Sequence, residues 1–151
     1  MQKVLTPKLR LEIQPLPHST WGISLAHKLP KYEWDYLRKK CYLAAGFRCE
    51  ICFSDVEGLN AHELWRYDDT KCIQHFAGLE CCCTLCHDVH HFGRSSIVYD
   101  LPRLELLVHH WCKVNRLRRK DFLGHRDTVA KVSLMRASKK YIVMVGKRIL
   151  E

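Results

Sequence analysis

Two pairs of cysteines limit what this chain can fold into more than any other feature. Cys49-Glu50-Ile51-Cys52 and Cys83-Thr84-Leu85-Cys86 are both Cys-x2-Cys knuckles. A tight turn points the two sulfurs of a knuckle the same way, and two knuckles hold one zinc ion through four thiolates. The spacer between them, residues 53–82, exceeds the roughly 15–20 residues of a simple zinc ribbon. The zinc is therefore expected to tie the ends of a longer insert, and that insert carries His62 and Glu63. His87 follows the last cysteine directly, and His91 comes four residues later. On a helix that spacing puts both imidazoles on one face, where they can grip a second metal.

At 151 residues the chain reads as a single domain, 1–151, with a metal-bearing core at about 47–94 and a helical, basic extension over 95–151. An apolar content of 47% suits a globular protein and excludes general disorder. No run approaches the roughly 18 apolar residues of a membrane span, and Met1-Gln2-Lys3-Val4 does not open a secretion signal. The nine cysteines are odd in number, and Cys81, Cys82 and Cys83 are adjacent. That arrangement suits a disulfide framework poorly, whereas zinc knuckles suit a reducing cytosol, so a cytoplasmic protein is expected. The net charge is +9. Zinc on four thiolates lowers it by two, which still leaves an excess favouring polyanions such as nucleic acid.

Taken in order, residues 7–15 alternate Leu9, Leu11 and Ile13 with Lys8, Arg10 and Glu12 between Pro7 and Pro15, the pattern of a half-buried strand. Trp21 reads as a core anchor. A helix is expected from Lys31 to Ala45, with Trp34, Leu37 and Cys41 inward and Gly46 as its stop. Cys41 reads as a core residue. After a turn at Ser54–Gly58, a strand runs from Leu59 to Trp65, with Trp65 and Tyr67 beside the site. Asp68 to Lys71 form a polar turn, and Cys72–Leu79 is expected to be a second strand or an extended arm. A helix from Leu85 to Phe92 is stopped by Gly93, and Arg94, Ser95 and Ser96 form a loop. Pro102 opens a helix with Leu104, Leu107, Val108, Trp111 and Val114 inward and His109 and His110 solvated. Arg116, Arg118, Arg119 and Lys120 make a basic run, either a solvated turn or an arm that contacts phosphates, the arm being the favoured reading. Asp121 caps a further helix to Lys140, with Phe122, Val129, Val132 and Met135 inward. Tyr141–Val145 forms a terminal strand that is expected to pair with residues 9–13.

The knuckles, His62-Glu63 and Cys86-His87-x3-His91 together resemble the HNH nuclease family over residues 47–94. His62-Glu63-Leu64-Trp65 and His91-Phe92-Gly93-Arg94 are also similar to a set of small HNH-like proteins of bacteria and phages. The resemblance implies an α+β fold, a zinc-stapled beta-beta-alpha-metal finger with flanking helices and terminal strands. It implies a structural zinc at Cys49, Cys52, Cys83 and Cys86. A second divalent ion, magnesium, manganese, nickel or zinc, would be held by His62, His87 and His91. Nitrogen ligands suit the transition metals better than magnesium.

The same resemblance implies an endonuclease that hydrolyses phosphodiesters in DNA or RNA, with His62, Glu63, His87 and His91 as its catalytic set. Glu63 stands where the family places its general base, normally a histidine, and Gly78 stands where it places an asparagine that braces the loop. A shift of one residue would make His62 the base and put Ala61 in a ligand position; His90 ranks below His91 as a ligand. Arg94, Arg116, Arg118, Arg119 and Lys120 would contact nucleic acid, with DNA the expected partner. The departures at Glu63 and Gly78 favour an alternative, a non-catalytic zinc module that binds nucleic acid or inhibits a protein partner. A phage or defence protein aimed at another protein is a third reading.

Overall fold

The structure, a computed structural model, describes residues 8–151. Its centre is an antiparallel hairpin of β1 (Asn60–Asp68) and β2 (Ile73–Cys82). The hairpin turns through Asp69–Lys71, where Asp68 Oδ1 accepts from Thr70 and Lys71 N–H and Cys72 takes a positive φ of 55°. Pairing shifts by one residue between Leu64/Trp65 on β1 and Gly78/Phe76 on β2, so Ala77 has no partner. Gly78, at φ 131°, occupies a conformation open mainly to glycine. It therefore belongs to a β-bulge inside β2 and not to a loop, which corrects the comparison with a loop-bracing asparagine.

The hairpin is followed by α1 (Thr84–His90), α2 (Phe92–Val98), α3 (Leu101–Asn115) and α4 (Arg119–Ala137). Before it come a four-residue helical turn, Leu25–Lys28, and a long helix, Lys31–Ala44, which ends at Gly46 with φ 62° as expected. Gly93 does not stop the helix after the knuckle. That helix breaks at His91, and Phe92–Val98, including Arg94, Ser95 and Ser96, forms α2 instead of a loop. Asp100 caps α3 by accepting from Arg103 N–H. α4 ends at Ala137, a little before Lys140, and Met135 is exposed. Of the other residues expected inward on α4, Phe122 is buried and Val129 packs against the core.

Residues 9–13 are not a strand. The apolar alternation is real, since Leu11 and Ile13 are buried, but the backbone bonds go to side chains and a helix end. Asn115 Oδ1 accepts from Arg10 and Leu11 N–H and its amide donates to Leu11 O. Ile13 N–H donates to His125 Nε2, and Gln14 N–H to His90 O at 2.9 Å. Pro7 lies outside the described residues. The terminal strand β3 (Ile142–Val145) accordingly pairs elsewhere: parallel to β2 at residues 73–75, and antiparallel to β4 (Arg148–Ile149). The sheet order is β1-β2-β3-β4. Trp21 is exposed, not a core anchor, and its indole N–H reaches Leu16 O at 3.5 Å.

One apolar core joins Leu11 and Ile13 to Ile51, Cys82, Val89 and the inward faces of α3 and α4, Leu107, Val108, Trp111, Val114 and Phe122. Cys49, Cys83 and Cys86 belong to it, so three of the four knuckle cysteines sit inside the core. Asp88 on α1 is buried and pairs with Arg103 on α3 at 2.8 Å, which fixes the rotation of α1 about its axis. Among the described residues no helix is long and apolar enough to cross a membrane.

Candidate metal centres

Cys49, Cys52, Cys83 and Cys86 converge, with all four sulfurs within 4.8 Å of one another. Cys49 to Cys86 is 3.8 Å and Cys52 to Cys83 is 3.7 Å. A zinc–sulfur bond of about 2.3 Å in a tetrahedron requires sulfurs about 3.8 Å apart, so the set fits zinc. Each knuckle also aims a backbone N–H at its first sulfur: Cys52 N to Cys49 Sγ at 3.4 Å, and Cys86 N to Cys83 Sγ at 3.5 Å. The second of these also caps α1. The thiols do not titrate independently. Contact with Cys83 and Cys86 pushes Cys49 down, and contact with Cys49 and Cys83 pushes Cys86 up. Four thiolates this close need a cation between them. The cluster is a possible structural metal site of the zinc type.

Two outer groups touch the sulfurs. Ser54 Oγ lies 3.0 Å from Cys52 Sγ, and His110 Nε2 lies 3.1 Å from Cys86 Sγ. His110 is therefore not solvated as expected, although its neighbour His109 is exposed. Side chains that donate to a metal ligand orient it and tune its charge. Helical periodicity cannot reveal this, because His110 flanks the apolar stripe of α3 and only the packing of α3 on α1 brings it to the cysteines.

The second set is built from β1 and α1. His62 is buried mid-strand, and His87 and His91 share one face of α1 and its C-terminal end. Their ring nitrogens lie within 4.8 Å of one another. Ring centroids are 5.4 Å apart for His62–His87, 5.0 Å for His62–His91 and 4.7 Å for His87–His91. Gln14 Oε1 is 2.9 Å from His62 Nε2. An amide oxygen only accepts, so Nε2 carries the proton and Nδ1 keeps its lone pair. Burial, with His90, His91 and His87 around it, pushes His62 down to about 2. Burial and the nearby His87, His90 and Arg94 push His91 down to about 4, and burial lowers His87 as well. Three neutral imidazoles in one place are the donor set that a borderline transition metal takes.

His90 stands apart from this set. Its ring stacks on His62 at 4.4 Å, and its Nδ1 donates to Glu12 O at 2.7 Å. The spacing that favours His91 over His90 thus agrees with the geometry. Trp65 packs edge-on against Phe76, and Tyr67 lies under Arg136 and beside Tyr141, away from the imidazoles.

Glu63 does not face the histidines. Neighbouring residues on a strand point to opposite faces. Its Oε1 accepts from Leu25 N–H at 2.8 Å, at the start of the short helical turn, and Ala26 N–H also bonds the carboxylate. Burial raises its pKa against those bonds. The residue given the general-base position is therefore occupied as a cap on the other side of the sheet. The carboxylate on the imidazole side is Glu80, the cross-strand partner of His62, with Oε2 3.4 Å from His90 Nε2. Finding it requires the hairpin register, which local sequence does not contain.

The basic set is dispersed. Arg94 is exposed on α2 beside His87 and His91. Arg116 ends α3 in the left-handed conformation, φ 55°. Arg118 stands at the N-cap position of α4, where Asp121 Oδ2 accepts from its backbone N–H at 2.9 Å, while Arg119 forks onto Glu105 at 2.6 and 2.7 Å. Lys120 is exposed. Arg119 thus braces the α3–α4 junction and does not extend as part of a free arm. Compared with known proteins, the chain matches no family model, no curated protein and no solved structure.

Proposed function

We propose that the chain is a metal-dependent phosphodiesterase acting on nucleic acid, DNA foremost, built on a zinc-stapled beta-beta-alpha-metal core of the HNH kind. The observation that carries the reading is the meeting of His62, His87 and His91, three neutral imidazoles from a hairpin strand and the following helix. A divalent ion held there would stabilise negative charge on a phosphate and on the leaving oxygen. The Gln14 carboxamide sets the tautomer of His62. Arg94 adds positive potential for an anionic substrate. Glu80 is the carboxylate on the side where an attacking water would give up its proton, and His90 stands against it.

The test is cleavage of plasmid, single-stranded DNA and RNA with magnesium, manganese, nickel or zinc added in turn. Wild-type protein is expected to cut with at least one metal, and His87→Ala to lose cutting while keeping one zinc per chain. A rival reading, a non-catalytic zinc module, draws on the capping role of Glu63, which leaves the family's base position without a base. Wild-type protein that binds nucleic acid but never cuts it with any of the four metals would establish the module.

A further inference from the structure

A cleft of about 670 Å³ lies against the cysteine cluster, with Cys52 and Cys83 in its wall. Arg10, Lys113 and Arg116 converge on it from two separate parts of the chain, against a single carboxylate, Glu57. Among the described residues none of the three cations is in an ion pair. Val56, Leu85 and Val114 supply apolar wall between them. The volume falls within the roughly 300–1,000 Å³ of small-molecule sites.

The Arg10 side chain is held in place. The Arg10 guanidinium lies 4.6 Å from the centre of the Phe53 ring and donates to Ile51 O. Arg116 occupies a left-handed position at the end of α3, where glycine would be favoured. An arginine there puts a long cation at the cleft at some backbone cost, and local strain of this kind collects at functional sites.

We infer that this cleft binds one nucleotide unit, with its phosphate against Arg10, Lys113 and Arg116 and its sugar and base against the apolar wall. The unit is either part of a nucleic-acid strand or a free nucleotide. The site gives the proposed nuclease a strand-holding surface beside the cysteines, distinct from the imidazoles, yet it does not depend on cleavage.

The experiment uses zinc-loaded His87→Ala protein with no other divalent metal, so that nothing is cut. Fluorescence anisotropy of a labelled single-stranded DNA oligonucleotide is followed across a salt series, with AMP and inorganic phosphate as competitors. Adding Lys113→Ala with Arg116→Gly is expected to weaken binding at least about tenfold and to flatten the salt dependence by about 1–2 contacts. Glycine suits the left-handed position, so the fold is retained; zinc content and melting verify this. Arg118→Ala with Lys120→Ala is expected to change affinity by less than about threefold. AMP competing as well as the oligonucleotide identifies a free-nucleotide site; competition only at far higher concentration identifies a strand unit. Either result supports the cleft. It is overturned if neither oligonucleotide nor AMP binds, if the Lys113/Arg116 variant binds like its parent, or if the Arg118/Lys120 variant loses as much. Cleft-dependent binding by wild-type protein that never cuts would retain the cleft and remove the nuclease.

Discussion

The cysteine and histidine clusters share helix α1, where Cys86 and His87 are neighbours, yet they are built on opposite plans. The cysteine cluster has four donors and is almost wholly inside the core, and each knuckle turns its own backbone N–H onto a sulfur. The histidine cluster has three donors, two of them only partly buried, with a carboxylate and an arginine nearby. A closed tetrahedral set holds a structure together, whereas a set with free positions leaves room for a substrate oxygen and water. The two sets are linked, because the knuckle that supplies Cys83 and Cys86 starts the helix that carries two of the three imidazoles.

Four changes would break or sharpen this contrast. The largest effect is expected from Cys52→Ser. Structural zinc contributes on the order of 10 kcal/mol to small zinc folds, so the hairpin and α1 should unfold together and the histidine set should disappear with them. A variant that melts like wild type and retains one zinc would show that the cysteines are dispensable.

Next comes His91→Ala. It should keep one zinc and nearly the wild-type melting temperature, but lose a second equivalent of manganese or nickel in a calorimetric titration. His90→Ala should do the reverse: it keeps the second ion and loses about 1–3 kcal/mol, because Glu12 O is left without a donor. Equal loss of the second ion in both would make His90 a ligand.

The third effect is of pH. His62 and His91 are pushed from an ordinary 6.5 down to about 2 and about 4. The folded chain therefore stays neutral at these rings while the unfolded chain gains protons below pH 6.5. Stability is complete above 6.5 and declines as pH falls below it, by up to about 1.4 kcal/mol per unit for each ring. Urea unfolding of zinc-loaded protein between pH 7 and 5.5, with zinc content checked in each sample, should show a loss of about 2–3 kcal/mol. A flat profile would mean that the imidazoles are not buried together.

The smallest change is Glu63→Gln. It should cost about 1 kcal/mol through a weaker cap on the turn at Leu25, with cleavage and second-metal affinity unchanged. A collapse of cleavage with stability intact would return Glu63 to the imidazole side.

The cysteine set was readable from spacing because each knuckle is a local object and only their pairing is long-range. His87 and His91 were readable for the same reason, since one turn of helix carries both. The hairpin, its polar turn and the inward stripe of α3 also follow from local periodicity. The rest depends on partners far away in sequence. Glu80 faces His62 only through the β1–β2 register, and His110 reaches Cys86 only through the packing of α3 on α1. Residues 9–13 show a strand's alternation, but Asn115 and His125 take the bonds a neighbouring strand would have taken. Glu63 was misassigned by a family pattern even though strand alternation alone sets it opposite His62.

Ala77 acts as a phase shift in the hairpin. On β2, Glu80 shares a side with His62, and unbroken alternation would carry Gln74 and Phe76 to that same side. One unpaired residue reverses the count, so Phe76 falls opposite Trp65, and buried Gln74 instead meets Thr20 Oγ1 at 2.8 Å, within the segment that also brings Leu25 to Glu63. Deleting Ala77 would make Phe76 follow Gly78 directly, opposite the consecutive Leu64 and Trp65, so the ladder would become regular while Phe76 and Gln74 keep their face. What the hairpin cannot tolerate is Ala77 joining the ladder: paired with Trp65 it would push Phe76 and Gln74 over to the histidine face, so the bulge itself, and not the residue in it, sorts the two sides of the sheet.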